Sequence, residues 1–147
     1  MAESTTTRWI KAPPARVYDA LVDGPALATW LHPEGTTARL HECDARVGGH
    51  LRMEITHAPG PEGTRLFDMV FAQLRPGEAV VWKGAFVSDD PGLAGEMTLI
   101  FTLDAQAGGT QVTLRHEGIP AGVSVKDNEE GSASSLANLA RFVERGA

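Results

Sequence analysis

The side chains in this chain best suited to hold a metal or act as a nucleophile are its five histidines and its one cysteine. His41-Glu42-Cys43 is the densest group, with His32, His50 and His57 elsewhere in the same stretch. A hydrolytic metal centre needs three or four N, O or S ligands on a rigid frame. Neither an HExxH nor a paired CxxC spacing is present, and several of these residues fall in expected turns. They read as solvated histidines, and no metal or other cofactor is expected.

Nucleophilic catalysis would need Cys43, or a serine, beside a base. Cys43 precedes the Asp44–Gly49 turn, where His41 or His50 could come near it. There is no Gly-x-Ser-x-Gly elbow, however, and a free cysteine is more often an inert small core residue. Gly48-Gly49 opens a strand rather than a helix, so it suits a tight turn and not a phosphate cradle. His116 alternates with the same face as Val112 and Leu114, which points its ring inward. A buried histidine with a hydrogen-bond partner is the ordinary case, so His116 is only a weak catalytic candidate. Glu54 and Asp68 alternate opposite their apolar neighbours and belong on the solvent face.

A different pattern marks the C-terminal segment. Asn128, Ser132 and Ser135 recur at i, i+4 and i+7 beside Leu136 and Leu139. A packed core favours larger apolar groups at such positions. Two readings stay open from the residues alone: small polar groups lining a ligand pocket, or a solvated face near the start of a helix.

These side chains must be positioned by the surrounding elements. Thr5–Lys11 reads as a strand, and Ala12-Pro13-Pro14 then starts a helix, since proline suits a first helical turn. Val17, Ala20 and Leu21 share one face of that helix. Gly24-Pro25 is expected to stop it, and Ala26–Leu31 forms a second short helix. Beyond it the period changes to two. Leu51, Met53 and Ile55 mark one strand, and Phe67, Met69 and Phe71 mark the next, within Leu66–Leu74. A loop is expected at 57–64. Ala79–Val87 follows the Arg75-Pro76-Gly77 turn. The loop Ser88–Gly95 then leads to Met97–Leu103, where Met97, Leu99, Phe101 and Leu103 alternate. Ala107-Gly108-Gly109 turns into Gln111–Glu117. The last element is a helix of about 18 residues, long enough to span about 27 Å. Asp127 and Glu130 have capping-box-like spacing near its start, with Asp in place of the usual Ser or Thr, and an earlier helix start stays open. Leu136, Leu139, Ala140, Phe142 and Val143 form its apolar stripe, and Gly146 stands where a stop signal belongs.

The expected order is one strand, two short helices, five strands in a meander and a long helix. Strands joined by tight turns make an antiparallel sheet. Only the final helix is long enough to cover its apolar face. The fold class is therefore α+β, a single domain over 1–147 with a curved sheet around the C-terminal helix.

Composition narrows the function classes. Among 147 residues, acidic side chains outnumber Lys and Arg 19 to 13, for a formal charge of −6. That balance disfavours nucleic acid, whose binding rests on Lys and Arg, and anionic membrane surfaces likewise. One cysteine allows no intramolecular disulfide, and Met1–Thr7 lacks the apolar core of a signal peptide. A cytoplasmic location is expected.

Several local signatures resemble the START-like (SRPBCC, Bet v 1-like helix-grip) superfamily. They are most similar to its bacterial branch related to the C-terminal domain of the heat-shock protein 90 ATPase activator. The matching residues are Arg8-Trp9-Ile10-Lys11-Ala12-Pro13, the helix Val17–Val22, Trp30, and Asp44-Ala45-Arg46-Val47-Gly48-Gly49. The resemblance continues through Leu74–Trp82, Thr110–Gly118, and Gly131 with Leu136 and Leu139 in the final helix. One departure stands out: Ser132 occupies the position where the family pattern carries tryptophan.

The resemblance implies a helix-grip fold and binding of a small apolar or aromatic ligand between sheet and helix. Trp30, Met53, Met69, Phe71, Trp82, Phe101, Leu114 and His116 would contribute from the sheet side, and Ser132, Ser135, Leu136 and Leu139 from the helix. It also tips the Asn128, Ser132 and Ser135 pattern toward the pocket reading. One alternative is a cyclase-like or hydrolase-like enzyme with His116 as acid or base. Another is a stress-response domain acting on a chaperone, ranked behind the others because the additional N-terminal domain of eukaryotic activators has no counterpart here. A homodimer is compatible with all three.

Overall fold

The computed structural model describes residues 2–32, 35–57 and 64–145. The chain runs β1 (Glu3–Ile10), α1 (Pro14–Val22), α2 (Gly24–Trp30), β2 (Thr36–Cys43), β3 (His50–His57) and β4 (Thr64–Arg75). It continues through β5 (Ala79–Phe86), a 3-10 turn at Pro91–Leu93, β6 (Met97–Gln106), β7 (Gly109–Glu117) and α3 (Val125–Arg145). Positions 58–63 of the expected loop, the His57 side chain and the stop signal at Gly146 lie outside the described residues.

The seven strands among the described residues form one antiparallel sheet in the order β1-β7-β6-β5-β4-β3-β2. The meander accounts for β2 to β7, and β1 closes the other edge by pairing along the whole of β7, from Glu3 opposite Glu117 to Ile10 opposite Thr110. Register shifts at Leu40/Glu42 and at Phe71/Gln73 interrupt the ladders. Such bulges bend a strand and increase its twist, which helps curl the sheet. Gly48, at φ +88°, takes a left-handed turn between β2 and β3. At Gly49 a Cβ would lie 2.0 Å from the Asp44 carbonyl oxygen, so only glycine fits the approach.

Three expectations need correction. The meander has six strands rather than five, because β2 went unrecognised. Its apolar members are only Ala38, Leu40 and Cys43, all half-buried. β2 is an edge strand paired on one side, and its bulge breaks the alternation that sequence periodicity relies on. Second, Gly24-Pro25 does not stop α1 but opens α2. Asp23 separates the helices, and its carboxylate accepts from the Ala26 amide at 3.0 Å. An aspartate N-cap followed by proline in the first turn is a favourable helix start.

Third, the long helix starts three residues earlier than an Asp127 cap implies. The Ser124 hydroxyl accepts from the Asp127 amide at 3.0 Å, and α3 runs for 21 residues. The cap is Ser124. Ser124→Ala should lower stability by about 1 kcal/mol in chemical denaturation; an unchanged midpoint would remove the cap assignment.

The core lies between the concave face of the sheet and the helices. Ile10, Val17, Leu21, Leu27, Trp30, Leu51, Phe71, Val80, Phe101, Val112, Leu136 and Leu139 are all fully buried. Trp30, Phe101, Trp82 and Phe71 form a chain of edge-on ring contacts across it. Polar contacts pin α3 along its length. Asn128 bonds the Ser4 side chain, Asn138 donates to the His32 carbonyl at 2.7 Å, and Glu144 accepts from the Lys11 amide at 2.9 Å. Among the described residues no helix is long and apolar enough to cross a membrane.

Candidate ligand cavity

The two halves of α3 differ. Its C-terminal half carries Leu136, Leu139, Ala140 and Val143, which fill the hollow of the sheet. Its N-terminal half presents the small residues Gly131, Ser132 and Ser135, while Asn128 reaches across to His116 on β7. A cavity of about 420 Å³ is left beneath them. The sheet side is Ile55 on β3, Arg65, Phe67 and Met69 on β4, and Trp82 and Phe86 on β5. Met97 and Leu99 on β6 and Leu114 and His116 on β7 complete it. Pro120, Gly122 and Val123 from the β7–α3 connection, Asp127 at the helix start, and Leu31 and His32 after α2 also line it, and the cavity is open to solvent on part of its boundary. An apolar wall with a few polar groups is the usual composition of a small-molecule site.

Of the twelve residues nominated from sequence, the structure brings Met69, Trp82, Leu114, His116, Ser132 and Ser135 together around this cavity. It places Trp30, Met53, Phe71, Phe101, Leu136 and Leu139 in the buried interior, away from the cavity wall. Periodicity identifies the inward face of an element but not whether that face meets another side chain or empty space. Met97 and Leu99 were on the alternating face already read from sequence. The β7–α3 connection has no period to read, so its contribution had no sequence signal.

The polar end of the cavity is ordered by one short chain of hydrogen bonds. Ser4 on β1 lies directly opposite His116 on β7. The Ser4 hydroxyl is 2.6 Å from Asn128 Oδ1, and Asn128 Nδ2 is 2.9 Å from His116 Nδ1. The shorter spacing is that of an O–H···O bond, so Oδ1 accepts from Ser4 and Nδ2 donates to the imidazole. His116 Nδ1 is then the acceptor, and the ring's proton sits on Nε2.

Burial pushes the His116 imidazole down to about 4, so it is neutral at physiological pH. The unfolded chain, with an ordinary histidine near 6.5, binds more protons than the native state between those values. The sign follows: this contribution is complete above about pH 6.5 and is lost progressively as the pH falls to about 4, by about 3 kcal/mol. NMR titration should place the His116 midpoint near 4; a midpoint near 6.5 would contradict its burial.

The other chemistry-bearing side chains lie elsewhere. His41 Nε2 is 2.7 Å from Glu54, and His50 Nδ1 is 2.9 Å from Asp68, both in exposed settings. Burial alone would raise the Asp68 carboxyl, but bonds from Arg52 and His50 outweigh it and hold the group below its ordinary range. The Cys43 thiol is pushed up by burial, then by the charges of Asp23 and Asp44, which makes it a poor nucleophile. Among the described residues no group of three His, Cys, Asp or Glu side chains could hold a metal ion.

Residues 11–144 match the family model described as Activator of Hsp90 ATPase homolog 1-like protein. A crystal structure of a protein from Chromobacterium violaceum is 38% identical, with a TM-score of 0.89 over 97% of this chain and 96% of that one. The AHSA1 protein from Silicibacter pomeroyi superposes with a TM-score of 0.82 at 20% identity, covering 99% of this chain and 100% of that one. A solution structure from Staphylococcus epidermidis gives a TM-score of 0.80 at 18% identity, covering 99% and 91%. The last two likenesses concern the fold alone. No curated protein matches the chain in sequence.

Proposed function

The chain belongs to the family of Activator of Hsp90 ATPase homolog 1-like proteins, and from that premise we propose that it binds a small apolar or amphipathic molecule between the sheet and α3. The observation that carries this reading is the unfilled volume beneath Gly131, Ser132 and Ser135. Interiors are otherwise packed close to crystal density, and one bulky side chain on α3 would have closed the gap. Aromatic and aliphatic groups make up most of the wall, so transfer of an apolar ligand from water is favourable.

Binding is favoured over acid–base turnover by the protonation state of His116. Its Nδ1 already accepts from Asn128, which leaves the ring's proton on Nε2. In this form the ring can donate to a ligand oxygen, but Nε2 cannot abstract a proton.

Titration with the neutral fluorophore N-phenyl-1-naphthylamine tests the reading, with energy transfer from tryptophan as the signal. Trp82 lines the cavity, so transfer should saturate at one equivalent. A signal that never saturates, or survives closure of the cavity, would sink the proposal.

A further inference from the structure

We infer that the ligand of this cavity is uncharged and carries an acceptor oxygen of the carbonyl type on an otherwise apolar or aromatic body; this rests on the cavity-binding reading above. Trp82 and His116 are 1% and 8% exposed. Among the described residues, Trp82 Nε1 and His116 Nε2 are the buried side-chain nitrogens with no hydrogen-bond partner. Buried polar atoms overwhelmingly find partners. Trp30 illustrates the rule, since its Nε1 donates to the Ala20 carbonyl at 2.8 Å.

Trp82 and His116 both belong to the wall of the same cavity. Neither nitrogen is open to water there, so a ligand that engages them must shift the side chains around them. Trp82 lies opposite Leu99, and Leu99 opposite His116. Their backbones are thus two strand spacings apart, about 10 Å. Leu99 between them offers only hydrocarbon.

The two atoms share one polarity. An indole N–H donates and cannot accept. The Ser4–Asn128 chain leaves His116 Nε2 as a donor too. Whatever satisfies either of them must bring an acceptor, which a carbonyl oxygen does with no donor of its own to place. A cationic or purely donating group would face two N–H groups. A carboxylate would accept from both, but it would bring its charge into an apolar wall. The lining cation among the described residues is Arg65, which is exposed and lies over the Phe86 ring at 6.0 Å. Asp127 adds negative charge on the helix side.

The test compares three naphthalenes of similar shape by calorimetry: 2-acetonaphthone, 2-ethylnaphthalene and 2-naphthoate. A wall offering only apolar contact would prefer the hydrocarbon, which is the more hydrophobic. With the donors engaged, the ketone should bind at least as tightly as the hydrocarbon and at least tenfold tighter than naphthoate. In NMR spectra the Trp82 indole N–H and the His116 Nε2 signals should shift with the ketone and stay with the hydrocarbon. His116→Leu should lower the affinity for the ketone relative to that for the hydrocarbon about tenfold; if that variant does not fold, the wild-type ranking and spectra decide.

Preference for the hydrocarbon with unmoved N–H signals overturns this inference while leaving cavity binding intact. Naphthoate as the tightest ligand overturns its uncharged character. Failure of all three to bind overturns the binding reading itself, and this inference with it.

Discussion

Replacing Trp30 by alanine should lower unfolding stability by about 3–5 kcal/mol, the range for removing a buried large aromatic. Trp30 is fully buried, meets Phe101 edge-on at 6.1 Å and donates to the Ala20 carbonyl. The variant therefore leaves a hole where α2 meets the sheet and strips a buried carbonyl of its partner. Domains are commonly stable by only about 5–15 kcal/mol, so a large share of the native population could be lost at 37 °C. Urea denaturation gives the measure, and a change below about 1 kcal/mol would refute the packing role. Trp30→Phe keeps most of the ring volume and sharpens the point. Trp30 is away from the cavity wall, so Trp30→Phe should change stability but leave ligand affinity within about twofold.

The opposite profile is expected at Ser132. Ser132→Trp should cut affinity for a cavity ligand by tenfold or more with little loss of stability. Ser132 is half-buried on the wall of the 420 Å³ cavity, and an indole there would occupy space the ligand needs. A tryptophan side chain can bury about 150–250 Å² of surface, which offsets the strain of fitting it. Ser132→Ala serves as the control and should bind within a few-fold of the wild type. Unchanged affinity in Ser132→Trp would show that the ligand sits elsewhere. A strongly destabilised variant would show that the cavity is smaller or stiffer than its walls imply.

Much of this architecture is legible in local patterns. Alternation of Met97, Leu99, Phe101 and Leu103 places a strand and its inward face without tertiary information. The Leu136–Val143 stripe does the same for α3, because 3.6-residue spacing leaves one face to bury. Pro13-Pro14 marks the start of α1, and Gly108, at φ +79°, marks the β6–β7 turn. β2 was invisible for a complementary reason. An edge strand with one bonded neighbour and a bulge has little apolar alternation to display.

Local order alone determined which stretches are strand or helix and which side of each is apolar, since those properties depend on residues only a few positions apart. The matched family signatures added the grip of sheet on helix. Tertiary structure decided the rest. It set β1 beside β7 across more than a hundred residues, which brought Ser4 to Asn128 and so oriented the proton of His116. It also separated Trp30, which is outside the cavity lining, from Trp82, which belongs to it, although both are buried aromatics of the same kind. Whether an inward side chain meets a neighbour or a gap depends on what the opposing element places there, and no periodicity along one segment carries that information.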